Sequence, residues 1–213
     1  MKKRNEKWIG YWNSGSSNKA IHGRGSYPDE VYNSIAKDVT FYLDITPTDS
    51  VADIGGGTGD QSKYIIQECN PSYLEMFEAN EYALNIFTEW IQNNNLLNIK
   101  STYCILPDIN FKKRFTKVFI GGVLMYMNSL NDIELIMKKI YDSLEDNGKL
   151  LMFHNYDKET WVPNEWDLFL ISYDEFENIS KKIGFKSIKR VKIGLHHGND
   201  CIGNSELSVL LTK

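Results

Sequence analysis

The stretch Val51-Ala52-Asp53-Ile54-Gly55-Gly56-Gly57-Thr58-Gly59-Asp60 constrains the fold more than any other part of the chain. An apolar run of strand length passes directly into a glycine turn, and a polar segment of helical composition follows. Gly55, Gly57 and Gly59 alternate, with Asp53 two residues ahead of the first. Such a turn frees the backbone to take left-handed conformations and to approach a flat ligand closely. It also points unpaired amides of a helix N-terminus at the crevice above the strand ends.

The rest of the chain repeats this strand-helix alternation. A helix over Glu30–Leu43 opens near Pro28 and places Val31, Ile35, Val39 and Tyr42 on one face. Strands are predicted at Ser50–Ile54, Tyr73–Phe77, Thr102–Leu106, Lys117–Gly121 and Lys149–Phe153. Helices fall between them at Asp60–Glu68, Glu81–Asn94 and Asn131–Leu144, with a turn at Asp146-Asn147-Gly148 and a further helix at Tyr173–Ile183. Strands at Ser187–Leu195 and Glu206–Leu211 close the chain; the loop between them is too short for a helix, so they should pair antiparallel. Alternation of this kind requires right-handed crossovers and a parallel sheet covered on both faces. Residues 1–27 are rich in Gly, Ser and Asn with Trp8, Tyr11 and Trp12 embedded, which reads as a mobile segment with aromatic anchors, able to act as a lid, ahead of one domain over 28–213.

The glycine spacing separates two kinds of nucleotide site. The dinucleotide fingerprint G-x-G-x-x-G needs glycine at position 60 if it starts at Gly55, or at 62 if it starts at Gly57; those positions hold Asp60 and Ser62. What stands here is D-x-G-x-G-x-G, which resembles the first motif of the class I S-adenosylmethionine-dependent methyltransferases. The resemblance covers about Pro28 to the C-terminus. It implies an α/β fold: a Rossmann-like three-layer sandwich whose seven-stranded, mostly parallel sheet ends in an antiparallel hairpin. It implies S-adenosyl-L-methionine as cofactor and methyl transfer as the reaction.

Ligands of open α/β sheets lie beyond the carboxyl ends of the strands, so each strand end should contribute. Under the resemblance Gly55, Gly56, Gly57 and Gly59 form the cofactor loop. Asp53 braces that loop and faces the methionine amino group. Glu78, with Ala79 beside it, ends the second strand 25 residues after Asp53, close to the roughly 20-residue spacing of ribose-binding acids. A carboxylate there can accept from both ribose hydroxyls. Asp108 is the acid available near the adenine, and Leu106 can pack on its face. Cys104 is expected inside the third strand as a small core residue. The backbone at Gly121 should meet the methionine part, with Met125 and Tyr126 facing the donated methyl.

Methyl transfer rests on alignment, exclusion of water and, where needed, removal of a proton. His154, directly after the fifth strand, is the first candidate base; Tyr126 and His196 complete the candidate catalytic set. Of His196 and His197 at most one can enter the pocket, because neighbouring strand residues point oppositely. His22, Tyr27, Trp161 and Trp166 are further candidates for the acceptor side.

Composition narrows the partners. A net charge of −4 gives no phosphate-neutralising surplus, which argues against nucleic acid. No apolar run approaches the ~20 residues that span a bilayer, and the start lacks the apolar core of a signal peptide, so a cytoplasmic location is expected. Cys69, Cys104 and Cys201 form no C-x-x-C pair, and no His or carboxylate spacing suits a metal. The expected activity is methylation of a small-molecule acceptor, O-directed, on a sugar, a surface-polysaccharide precursor or a secondary metabolite, by a monomer or homodimer. A protein or RNA methyltransferase, or a non-catalytic cofactor-binding partner subunit, is the alternative.

Overall fold

The computed structural model describes residues 4–13, 29–156, 158, 167–193 and 206–213. Its seven strands are β1 (Ser50–Ile54), β2 (Tyr73–Glu78), β3 (Ile99–Tyr103), β4 (Phe115–Gly121), β5 (Leu144–Tyr156), β6 (Ser187–Arg190) and β7 (Glu206–Thr212). They form one sheet in the order β3-β2-β1-β4-β5-β7-β6. The first five strands run parallel, and β7 is antiparallel to both β5 and β6. The expected sandwich with its closing hairpin is therefore present.

Alternation along the central strands feeds two cores. Val51, Phe119, Leu151 and Phe153 face one side, where α2 (Asp29–Leu43), α3 (Asp60–Cys69) and α4 (Glu81–Asn93) supply Ile35, Val39, Ile65 and Phe87. Ala52, Ile54, Val118, Ile120, Leu150 and Met152 face the other, against α5 (Leu130–Ser143) and α6 (Tyr173–Ile183). Strands buried on both faces read as near-continuous apolar runs, as these do. Helix ends carry their own stop signals. Asn80 caps α4 by accepting from the Ala83 N–H, and Ser172 with Glu175 forms a reciprocal capping box on α6.

Four expectations need correction. Residues 4–13 form a packed helix, α1 (Arg4–Asn13), with Trp8 buried, in place of a wholly mobile segment. Docking of an aromatic face supplies what weak helix formers such as Gly10 withhold. The third strand starts and ends about three residues earlier than predicted, because pairing with Leu74–Glu78 sets its register; Cys104 consequently lies beyond the strand. Asn147 takes a left-handed conformation as expected of a turn, but the residues around it belong to β5, which shifts register between the pairs at Phe115 and Lys117. β6 ends at Arg190 rather than Leu195; 191–193 lie outside any strand, and 194–195 lie outside the described residues.

No helix separates β3 from β4. Loop residues Ile109 and Phe111 do the covering instead, the Phe111 ring lying edge-on to Phe77 at 5.2 Å and to Phe115 at 5.7 Å. Among the described residues no helix is long and apolar enough to cross a membrane, and no group of three His, Cys, Asp or Glu side chains could hold a metal.

Candidate active site

A cleft of about 410 Å³ opens where β1, β2 and β4 end, within the size range of small-ligand sites. Its floor is the glycine turn, Gly55 to Thr58, and the strand ends. The turn is built by backbone hydrogen bonds: the Gly55 N–H donates to Phe77 O at 2.7 Å and the Gly59 N–H to Gly56 O at 2.9 Å. Gly55, Gly57 and Gly59 all take positive φ. At Gly56 the constraint is space: a Cβ there would stand 2.5 Å from both Asp53 Oδ2 and Met76 Cγ.

Glu78 ties this turn to the neighbouring strand. Its Oε2 accepts from the Gly57 N–H at 2.8 Å; its Oε1 accepts from Ala79 at 2.8 Å and Asn80 at 2.7 Å. A carboxylate offers about four acceptor sites, so capacity remains for a ligand hydroxyl. Burial pushes its carboxyl above the usual range, while those three N–H groups pull the other way.

Asp53 is 2% exposed and faces the α2–α4 core. Its Oδ2 accepts from Ser62 Oγ at 2.7 Å. Its Oδ1 has no partner among the described residues, although the side chain lines the cleft. Burial pushes its carboxyl up to about 7 against the Ser62 hydrogen bond, and the nearby Glu78 adds to the rise. A buried carboxylate with one oxygen unsatisfied is costly unless a cation or donor completes it.

The remaining expected residues divide clearly. Ala79, Gly121, Met125, Tyr126, Cys104 and Leu106 all line the cleft. Burial raises the Cys104 thiol to about 11, so it stays protonated. Gly59 lines nothing; it caps α3 beneath the floor. Asp108 is also absent from the cleft. Its N–H turns back to Ile105 O at 2.9 Å, and the side chain lines a separate hollow with Lys112, Lys113 and Lys139. With β3 ending at Tyr103, Cys104 and Leu106 occupy the place expected for it. His154 follows the cleft residue Phe153 in β5, but its side chain lies outside the described residues, as do His22, Tyr27, Trp161, Trp166, His196 and His197.

The wall opposite the strand ends comes from two helices that precede the sheet. α1 contributes Trp8, Ile9 and Trp12, and α2 contributes Tyr32 and Ile35. The Trp8 and Tyr126 ring centroids lie 4.8 Å apart, tilted by 42°. The spacing 8, 9, 12 is helical and could have shown α1 in the sequence. Tyr32 carried no comparable signal.

No family model and no curated protein matches this sequence. Solved structures do. Magnesium protoporphyrin IX methyltransferase from Synechocystis, with bound S-adenosylmethionine, superposes with a TM-score of 0.72 at 12% identity, over 100% of this chain and 98% of that one. Geranyl diphosphate C-methyltransferase from Streptomyces coelicolor, in complex with magnesium, geranyl diphosphate and S-adenosyl-L-homocysteine, gives 0.71 at 14% identity, over 100% and 98%. The N-methyltransferase NodS from Bradyrhizobium japonicum gives 0.68 at 11% identity, over 86% and 97%. The chain has the class I S-adenosylmethionine-dependent methyltransferase fold. These neighbours name acceptors as unlike as a porphyrin and a prenyl diphosphate, so the fold leaves the acceptor open.

Proposed function

We propose that this protein is an S-adenosylmethionine-dependent methyltransferase acting on a small-molecule acceptor. The observation that carries the reading is the pair of carboxylates flanking the glycine turn: half-buried Glu78, with acceptor capacity to spare, and buried Asp53, whose Oδ1 has no partner among the described residues. A nucleoside bearing a cationic amino acid suits both, a ribose hydroxyl at Glu78 and its ammonium at Asp53. Cys104 and Leu106 would flank the adenine, and Gly121 the methionine part. When bound, the cofactor supplies a methyl group on an electron-poor sulfonium.

The chain's own contribution is to align and to exclude water. Tyr126 and Met125 stand on the acceptor side, roofed by Trp8 and Trp12 of α1, which we read as the lid. Aromatic faces suit the sulfonium as well as the apolar face of a sugar or ring. Within this reading the acceptor is a sugar, a polysaccharide precursor or a secondary metabolite methylated on oxygen, with His154 as candidate base and His196 as a second. Titration calorimetry tests the cofactor half directly. S-adenosylhomocysteine should bind with micromolar affinity and one site per chain; no heat and no thermal shift at millimolar ligand overturns the reading.

The same titration carries a pH signature. The free Asp53 carboxyl holds its proton below about 7, and a ligand ammonium favours the ionised form. Affinity for S-adenosylhomocysteine should therefore fall as pH drops through 7, by about ten-fold between pH 8 and pH 6 if one proton is linked. Asp53→Asn should flatten this dependence; a profile unchanged by that substitution removes Asp53 from the ammonium site.

A further inference from the structure

We propose that Asp167 is the latch that holds α1 over the cleft, a positioning residue that sets how fast a bound nucleoside leaves. α1 is tethered at separate points of the rim. On one side Asn80 Nδ2 donates to Trp12 O at 2.7 Å. On the other, Arg4 Nη1 donates to Met127 O at 3.0 Å. Asp167 collects the rest: its carboxylate accepts from Arg4 Nε at 3.2 Å and Lys7 Nζ at 3.4 Å, and its carbonyl from Trp8 Nε1 at 3.1 Å. Three side chains from successive turns of one helix thus converge on a single residue.

That residue is itself fixed to the acceptor side. Two positions on, the Phe169 N–H donates to Met125 O at 2.7 Å, and the Arg4 guanidinium lies 5.6 Å from the Phe169 ring centroid. The segment carrying Asp167 therefore joins the lid to the 3-10 turn Leu124–Tyr126 that lines the cleft. The Asp167 side chain is 48% exposed, so it packs no core. Exposed ion pairs are individually weak and yield to salt, which suits a latch that must open at each turnover.

The identity of the trapped ligand rests on the methyltransferase reading; the latch itself does not. In stopped-flow experiments on the full chain, Asp167→Ala should release S-adenosylhomocysteine about two- to ten-fold faster, the range expected for losing two exposed pairs. Asp167→Glu should restore part of the difference, and the melting temperature should stay within about 2 °C, since no core contact is lost. Raising salt to about 0.5 M should speed release from the wild type and leave Asp167→Ala unaffected. Equal release rates with equal salt dependence overturn the latch. If the wild type binds no S-adenosylhomocysteine, the cofactor reading fails instead. The latch is then decided by amide hydrogen exchange in ligand-free protein, where Asp167→Ala should lower the protection of α1, and unchanged protection overturns it.

Discussion

Glu78→Ala should weaken S-adenosylhomocysteine binding by about 10- to 150-fold, the largest single-residue effect expected in the cleft. The carboxylate has two tasks. It would accept from a ribose hydroxyl at its remaining acceptor site, and a hydrogen bond to a charged group contributes about 1.5–3 kcal/mol, a factor of about 10–150 in affinity. It also accepts three backbone N–H groups that arrive from two chain segments: Gly57 in the turn, Ala79 and Asn80 after β2. Without it the Gly57 amide loses its partner, and the turn is held to β2 only by the backbone bonds from Gly55 and Gly56 to Phe77 O. Glu78→Gln separates the tasks. The amide keeps one acceptor oxygen, but its NH2 group meets a backbone donor where Oε2 now accepts. Affinity should therefore fall in the order wild type, Gln, Ala, measured by calorimetry at pH 8. An Ala variant within about three-fold of the wild type would mean that this carboxylate serves the turn alone.

What was legible in the sequence was legible because it is local. β1, the glycine turn and α3 follow one another directly, so the apolar run and the glycines mark β1 and the start of α3; α6 likewise lies where its local pattern and Gly184 point. β3 failed for a physical reason. Ile99-Lys100-Ser101-Thr102-Tyr103 is an edge strand with little apolar alternation, whereas Cys104, Ile105 and Leu106 look more strand-like but leave the ladder. Asp108 missed the cleft for the same reason, since its expected place depended on where β3 ends. The roof was hidden because it is assembled over long sequence distances. Trp8 meets Asp167, and Asn80 meets Trp12, through side chains that no periodicity connects. The place of Glu78 at the end of β2 is visible in the sequence, but its three backbone donors needed the turn and the strand to be side by side.

Gly59→Ala should lower the melting temperature by about 5–15 °C, the largest stability effect expected of one added methyl group in this chain. Two costs combine. Gly59 has φ +78°, a left-handed conformation that costs a residue with a Cβ about 1–2 kcal/mol. The new Cβ would also stand 2.3 Å from Phe87 Cδ2 and 2.8 Å from Cε2, where real contacts do not occur. Phe87 cannot yield easily: it is fully buried and stacked on Trp90 at 5.8 Å with planes 13° apart. Overpacking of this kind costs about 1–3 kcal/mol. Gly10→Ala is the matched control. Nothing lies within 4 Å of a Cβ at Gly10, which sits inside α1, so relief of glycine's helix penalty should leave stability equal or slightly raised. A double-mutant cycle with Phe87→Leu then isolates the collision from the backbone strain. If the ring is the obstacle, the two substitutions together should destabilise by less than the sum of their separate effects, by more than about 0.5 kcal/mol. Additive losses would leave the left-handed backbone as the whole cause, and a Gly59→Ala protein melting within about 2 °C of the wild type would show that the turn relaxes freely over α4.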